Sequence, residues 1–153
     1  MTAKRNRQGL IMKKIALGSD HAGFKLKERV KSHLESGGYD VIDFGTDSET
    51  PVDYPDYIRP AAESVAKGVC DLGIVFGGSG NGEAIAANKV KGIRCGVCWN
   101  EVSARLAREH NDANVIAIGG RMVSEEQGLQ IVDTWLNARF QGGRHRRRIK
   151  KIE

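Results

Sequence analysis

The chain has 153 residues, 40% of them hydrophobic and 28% charged, a composition that fits a soluble globular protein. No apolar run approaches the roughly 20 residues that cross a bilayer, and the start of the chain has no secretory signal, so we expect a cytoplasmic protein with no membrane partner. The formal net charge of +5 comes from the two ends of the chain, and the part between them is slightly acidic.

Five short apolar runs predict β-strands within a single domain that spans residues 13–153. Residues 1–12 are predicted to be a disordered extension, and Met12 is a candidate for the natural start. The predicted strands lie at residues 13–18, 39–44, 71–75, 93–99 and 114–118.

Helical patterns separate these strands. In the first, Leu26, Val30 and Leu34 recur every four residues among charged side chains, and a pair of glycines ends the helix. A second helix is predicted to begin near Pro60, because proline is tolerated best in a first turn. A third begins near Glu83, in a run of helix formers.

The second half of the chain continues the alternation. Asn100 is a predicted N-cap for a helix over residues 101–110. The segment 124–127 has the form of a capping box and opens a helix that Gly142 and Gly143 are predicted to stop, with one apolar face formed by Leu129, Val132, Leu136 and Phe140. Strands alternating with helices predict an α/β fold, a three-layer α/β/α sandwich around a five-stranded parallel sheet (Rossmann-like).

Polar residues follow three of the predicted strands. Asp20 and His21 come after the first strand, residues 77–83 after the third, and Arg121 after the fifth. In parallel sheets ligands bind beyond the carboxyl ends of the strands, so we expect these residues to lie together around a ligand.

The segment Gly77-Gly78-Ser79-Gly80-Asn81-Gly82-Glu83 joins a predicted strand to a predicted helix. Four glycines let the backbone turn tightly and point free N–H groups at an anion. The segment lacks the lysine of a Walker A loop and the spacing of the dinucleotide-binding motif. Either it holds a phosphate or it stabilises a charge made during a reaction. Taken alone, Glu83 is an ordinary first-turn acid favoured by the helix dipole.

The three cysteines predict no special chemistry. Their number is odd and no export signal is present, which argues against a disulfide framework. Cys95 and Cys98 have C-x-x-C spacing, but they lie in a predicted strand, where residues three apart face opposite sides. We therefore expect ordinary strand cysteines, with neither a redox nor a zinc site.

Histidines and arginines supply further candidates. His21, His110 and His145 lie beside loops that can converge, whereas His33 is predicted on a helix surface. The basic run at residues 144–148 is either a solvated tail or an anion site. If it is helical, its first and last arginines share a face and can grip one phosphate.

Seven segments in this order resemble the type B ribose-5-phosphate isomerase family, over about residues 12–150. They are residues 19–23 (Ser-Asp-His-Ala-Gly), 53–55 (Asp-Tyr-Pro), 77–83, 86–89 (Ala-Ala-Asn-Lys), 108–111 (Arg-Glu-His-Asn), 119–121 (Gly-Gly-Arg) and 143–145 (Gly-Arg-His). The resemblance implies interconversion of ribose 5-phosphate and ribulose 5-phosphate in the pentose phosphate pathway.

The family uses two alternative bases, and this chain resembles the glutamate branch. The other branch has a cysteine where this sequence has Gly77. Glu83 is then the base that moves a proton between C1 and C2 through a cis-enediolate. The N–H groups around Gly80, Asn81 and Gly82, beside Gly78, would stabilise the negative oxygen.

The resemblance also implies roles for the other candidates. Ser79 and Asp20 manage the hydroxyl protons, and His110 helps to open the furanose ring. The sugar is bound by Asn111, with Tyr54 lining the site. The phosphate is held by His21, Arg121, Arg144 and Arg148. No metal or organic cofactor is implied.

The family is dimeric, which implies a homodimer here, with a tetramer left open. The active site is shared between subunits, so His110, Asn111 and the C-terminal arginines are expected to face a partner chain.

Two other functions remain open. The first is isomerisation of a six-carbon sugar phosphate, such as allose or galactose 6-phosphate, with the same motifs and a deeper pocket. The second is a non-enzymatic nucleotide- or RNA-binding domain that uses the basic ends. The slightly acidic body and the lack of aromatic residues in the basic tail argue against a nucleic-acid partner.

Overall fold

The computed structural model describes residues 12–153, so the predicted extension lies outside the described residues apart from Met12. Within these residues, five strands and six helices follow one another. The strands are β1 (Lys14–Ser19), β2 (Asp40–Asp43), β3 (Leu72–Gly77), β4 (Cys95–Val97) and β5 (Val115–Gly119). The helices are α1 (Phe24–Ser36), α2 (Pro55–Ala66), α3 (Asn81–Asn88), α4 (Glu101–Asn111), α5 (Glu125–Asn137) and α6 (Arg144–Lys150).

The strands form one parallel sheet in the order β2-β1-β3-β5-β4. Its two faces are buried by different helices, because side chains alternate along a strand. On one face Leu17, Phe76 and Ile118 pack with α1, α4 and α5, and on the other Ala16 and Val75 pack with α2 and α3. The predicted three-layer α/β/α sandwich is confirmed. No helix within residues 12–153 is long and apolar enough to cross a membrane.

The predicted start of α2 is wrong. The helix begins at Pro55, which takes the first-turn position, and Pro60 lies inside it. A proline at this depth removes one helical hydrogen bond. The inward face of α2 compensates, because Ile58, Ala61 and Ala62 are buried against the sheet.

The predicted extent and face of α5 are also wrong in part. The capping box between Ser124 and Gln127 is present, but the helix ends at Asn137, well before the paired glycines. Its buried side is formed by Gly128, Ile131, Val132 and Trp135. Leu129 and Leu136 lie at the margin of the core, because the large Trp135 ring occupies its centre, where its indole N–H donates to the carbonyl of Ala113 (3.2 Å).

Strand β4 is shorter than the predicted span of residues 93–99. It lies at the edge of the sheet, and the side-chain amide of Asn88 bonds both the N–H and the carbonyl of Cys95, at 2.7 and 2.9 Å. Cys95 and Cys98 pack against opposite faces of the sheet, as predicted, although Cys98 lies one residue beyond the end of β4. Burial raises the pKa of the Cys98 thiol to about 12 and also raises that of Cys95. Both thiols are therefore protonated and unreactive at neutral pH.

Candidate active site

The loops that follow β1, β3 and β5 pack together at the carboxyl edge of the sheet. The N–H of Gly120 donates to the carbonyl of Gly77 (2.7 Å), and the N–H of Arg121 donates to that of Gly78 (3.1 Å). A side chain on Gly119 would lie 2.5 Å from the backbone of Ser79, so only glycine permits this approach. The structure thus brings the glycine-rich segment and Arg121 into one surface.

Glu83 lies at the centre of this surface and is only 4% exposed. Gly80, with φ of 88°, is the N-cap of α3, so Glu83 occupies the third helical position. From there its carboxyl group faces the backbone N–H groups of Glu83 itself and Gly80, which act to lower its pKa. Its Oε2 atom has no hydrogen-bond partner within residues 12–153.

The pKa of Glu83 is raised above the ordinary value for glutamate. Burial is the main cause, the negative charge of Asp20 adds to it, and the backbone N–H groups of Glu83 and Gly80 act in the opposite direction. A buried carboxylate with a raised pKa next to a second carboxylate is the arrangement that favours proton transfer at neutral pH.

Gly77 provides the space in which the Glu83 carboxylate lies. A Cβ atom built on Gly77 would overlap both carboxylate oxygens. A side chain at residue 77 and the carboxylate of Glu83 therefore cannot occupy this volume together.

Asp20 and His21 flank the glycine segment, and the backbone fixes both. The Oδ1 atom of Asp20 accepts from the N–H groups of Ala22 and Gly23 at 2.9 and 3.1 Å. The Nδ1 atom of His21 accepts from the N–H of Val52 (3.1 Å). In the neutral ring, the remaining proton is then on Nε2, which is left to donate.

A cleft of about 300 Å³ opens at this edge between the segments that follow β1 and β5. Its charged and titratable lining residues are His21, Lys25, Glu49, Arg121 and Glu125. Lys25 pairs with Glu49 (3.4 Å), which leaves His21 and Arg121 as the donors best placed for an anion.

Tyr54 and Ser79 complete this edge. A side chain on Gly82 would lie 2.8 Å from the Tyr54 ring, so the ring lies directly over the start of α3. The hydroxyl of Ser79 accepts a long hydrogen bond (3.2 Å) from the N–H of Asn81. One of the predicted anion-binding N–H groups, that of Asn81, thus already has an acceptor within the loop.

The other predicted site residues lie at the opposite edge of the sheet. His110 and Asn111 end α4, which runs antiparallel to the strands, and β5 begins four residues later at Val115. The five residues of β5 span about 16 Å at the usual rise per residue. Within one chain, His110 and His145 therefore lie at the edge of the sheet opposite to His21.

Arg144 and Arg148 lie at this amino edge too. They are exposed on α6, which is helical, so the two side chains share a face as expected. The helix is joined to α4 by a stack of His145 on His110, with ring centroids 4.3 Å apart and planes inclined by 15°.

Arg94 was missed in the sequence, whereas His145 was among the candidate histidines. His145 is the buried residue of α6, and Arg94, just before β4, donates to the carbonyls of Asn111 (2.9 Å) and Asp112 (3.0 Å). Asp112 has a left-handed backbone with φ of 44°. Arg94 thus fixes the turn that ends α4. Arg94 lies outside every motif, so the sequence gave no signal for it. His145 could be noticed in the sequence because it interrupts a run of arginines.

No three histidine, cysteine or acidic side chains within residues 12–153 are grouped as a metal site requires.

A parallel sheet with a buried carboxylate and hydrogen-bond donors at its carboxyl edge is typical of α/β enzymes, which bind their ligands beyond the strand ends. Residues 15–152 match the family described as Ribose/Galactose Isomerase, and the chain belongs to this family.

Relatives agree over nearly the whole chain. Ribose-5-phosphate isomerase B of Escherichia coli is 50% identical over 141 residues, which cover 92% of this chain and 95% of that protein. Among solved structures, ribose-5-phosphate isomerase B of Clostridium thermocellum is 55% identical with a TM-score of 0.90, covering 91% of this chain and 94% of the other. The same enzyme of Mycoplasma genitalium, solved with bound ribulose-5-phosphate, is 42% identical with a TM-score of 0.88 and covers 91% and 93%.

Proposed function

We propose that this protein is an aldose–ketose isomerase that interconverts D-ribose 5-phosphate and D-ribulose 5-phosphate in the pentose phosphate pathway. The observation that carries the proposal is the Glu83 carboxylate, which is buried behind the glycine segment with one oxygen unpartnered among the described residues. The names of its relatives support the same substrate.

Glu83 moves the proton between the two carbons. It takes the C2 proton of the open-chain aldose, the electron pair of the C2–H bond forms the C1–C2 double bond, and O1 becomes the charged oxygen of a cis-enediolate. Glu83 then returns the proton to C1. The hydroxyl proton of O2 passes to O1 by way of Asp20 and Ser79, which leaves the carbonyl at C2.

The negative oxygen of the enediolate is stabilised by the glycine segment. The long bond from the Asn81 N–H to Ser79 is weak, so the intermediate can replace the hydroxyl as acceptor. The N–H groups near Gly78, Gly80 and Gly82 lie in the same turn. Loss of one such donor typically raises a barrier by about 2.7–4 kcal/mol.

Replacing Gly77 with alanine tests this geometry. The new methyl group would overlap the Glu83 carboxylate, so Glu83 must move. Because a misplacement of about 1 Å can cost roughly a hundredfold, we expect kcat to fall by about that factor. The matched control is Gly37→Ala, where a Cβ would meet its neighbours at ordinary distances of 3.4 Å or more. Activity of Gly77→Ala within about threefold of wild type, measured with purified protein, would contradict the assigned position of the base.

A second copy of the chain completes the site in this proposal. One chain carries Glu83 and the partial phosphate cleft at its carboxyl edge, while His110, Asn111, Arg144 and Arg148 lie at its amino edge. In a homodimer with a shared site, the amino edge of one subunit covers the carboxyl edge of the other. The exposed edge of β4 supports such packing, because it borders a groove of about 370 Å³ and the exposed side chain of Ile152.

The partner subunit's His110 opens the furanose ring. It gives a proton to the ring oxygen as the bond from C1 to that oxygen breaks, and the C1 hydroxyl loses its proton to Asp20. The aldehyde is then in place for Glu83, and Asn111 of the partner subunit binds the sugar hydroxyls. His21 and Arg121 hold the phosphate from one side, with the C-terminal arginines of the partner on the other.

Arg144→Ala is expected to raise KM for ribose 5-phosphate by about 10- to 100-fold with a smaller effect on kcat, because a hydrogen bond to a charged group contributes roughly 1.5–3 kcal/mol. Arg147→Ala is the control, since Arg147 is also exposed on α6 but lies off the face shared by Arg144 and Arg148. Equal effects of the two variants would show that the tail acts through its overall charge, as a nucleic-acid-binding segment would.

The proposal is tested by an isomerase assay on wild-type protein with ribose 5-phosphate and allose 6-phosphate. We expect a clear preference in kcat/KM for the pentose. A preference for the hexose would assign the protein to the six-carbon branch, and no activity on either would overturn the proposed function.

We also propose that the reaction takes place in the cytoplasm. Cys70, Cys95 and Cys98 are all free thiols, which is the usual state in a reducing compartment.

A further inference from the structure

His145 stands apart from the other residues of α6. The side chains around it are exposed cations, whereas its ring is 7% exposed and lies against His110. Its Nε2 atom has no hydrogen-bond partner within residues 12–153. A buried polar atom without a partner destabilises a fold, so a structural role alone would be filled better by an apolar ring.

The backbone near His110 is already held in place by other groups. Arg94 binds the carbonyls of Asn111 and Asp112, and its own N–H donates to the side chain of Asn114 (2.9 Å). These contacts fix the end of α4 but do not touch the imidazole of His110. The stack with His145 is the ring contact that the structure records for it.

We propose that His145 is a positioning residue, whose ring holds the plane of the His110 imidazole for opening of the furanose ring. The inference rests on the proposed function, in which His110 gives a proton to the ring oxygen of the substrate. Parallel rings 4.3 Å apart leave His110 free to slide in its plane but not to turn out of it.

The charge state of His145 suits this role. Burial lowers its pKa, and the positive charges of Arg144, His110 and Arg148 lower it further. A neutral His145 is a better neighbour for a protonated His110 than a second cation would be.

The variants His145→Leu and His145→Phe distinguish the contribution of the stacked ring from that of the ring nitrogens. Leucine removes the stack, and phenylalanine keeps a ring without a polar atom. His33→Leu is the matched control, because His33 is partly exposed on α1 and pairs with Asp133 (2.7 Å), away from both edges of the site.

Two reactions are measured for each variant. Net conversion of ribose 5-phosphate requires ring opening. Exchange of solvent deuterium into C1 of ribulose 5-phosphate requires only the enediolate, since a ketose with a phosphorylated C5 hydroxyl cannot close to a furanose. We expect His145→Leu to lower net conversion about tenfold, a part of the roughly 10²- to 10⁴-fold that a positioned acid or base contributes. Exchange should stay within about twofold of wild type, and His145→Phe should restore most of the net conversion.

Three results would overturn the proposal. Unchanged net conversion in His145→Leu shows that the stack is not needed. An equal fall in both reactions shows an effect on assembly or on Glu83. A fall in His145→Phe as large as in His145→Leu shows that Nε2 itself contacts the substrate. If leucine prevents folding, His145→Asn, which keeps a polar atom without the ring, takes its place. An inactive wild type would instead overturn the proposed function.

Discussion

Glu83→Gln is expected to lower kcat for isomerisation of ribose 5-phosphate by about a thousandfold or more, within the range of a positioned acid or base. The amide has nearly the same shape and keeps an oxygen beside the backbone N–H groups of Glu83 and Gly80, so the loop and the bound substrate should keep their geometry. What is lost is the ability to take the C2 proton. Steady-state kinetics measure kcat, and titration of the variant with substrate measures binding, which should be close to that of wild type.

Glu101→Gln is the matched control, since Glu101 is also a first-turn acid but is exposed at the start of α4. It should leave the kinetics unchanged. The base assignment fails if Glu83→Gln keeps activity within about tenfold of wild type, roughly 1.4 kcal/mol of barrier. It also fails if both glutamine variants lose activity to the same extent.

The raised pKa of Glu83 also predicts how the thermal stability of the protein changes with pH. Folding favours the protonated carboxyl group of Glu83, so its ionisation destabilises the fold. The destabilisation is absent below the ordinary pKa of glutamate and complete above the raised pKa of Glu83. Glu83→Gln removes the destabilisation, because the amide is neutral at every pH. The variant should therefore have a higher Tm than wild type at about pH 8 and an equal Tm at about pH 4. A lower Tm at about pH 8 would show that the ionised carboxylate stabilises the loop.

Local patterns in the sequence predicted most of the fold. Strand and helix periodicities identified all five strands and the three layers, and the caps at Asn100 and Ser124 form the expected hydrogen bonds. The errors arose where packing overrides local preference. Pro60 is tolerated inside α2 because its neighbours are buried, and the face of α5 is set by the size of Trp135.

The carboxyl edge of the sheet was predictable for a topological reason. Loops after parallel strands share an edge whatever the strand order, so the proximity of Asp20, Arg121 and the glycine segment followed from the alternation alone. The alternation did not predict the space that Gly77 leaves for Glu83, because that space depends on the conformation of the Glu83 side chain. The strand order and the His110–His145 stack depend on contacts between residues far apart in sequence.

Glu83 and His110 lie at opposite edges of the sheet, and this separation predicts a second large effect. Two variants that are each inactive alone should recover activity when they form a mixed dimer. In a shared site, Glu83 comes from one subunit and His110 from the other. Glu83→Gln and His110→Asn should each be nearly inactive alone. A mixed dimer then has one site with both defects and one with neither, because each chain supplies the intact residue that the other lacks. Equal amounts, unfolded and refolded together, give about half mixed dimers and so about a quarter of wild-type activity.

The control pairs Glu83→Gln with Asp20→Asn. Both residues lie at the carboxyl edge of the same chain, so every site of a mixed dimer carries one defect and activity should not return. The comparison distinguishes a site shared between two subunits from a general effect of mixing on the stability of the variants. No recovery in the first pair would mean that a single chain brings His110 to Glu83, against the length of β5 between the two edges of the sheet. Equal recovery in both pairs would mean that mixing repairs folding rather than sites.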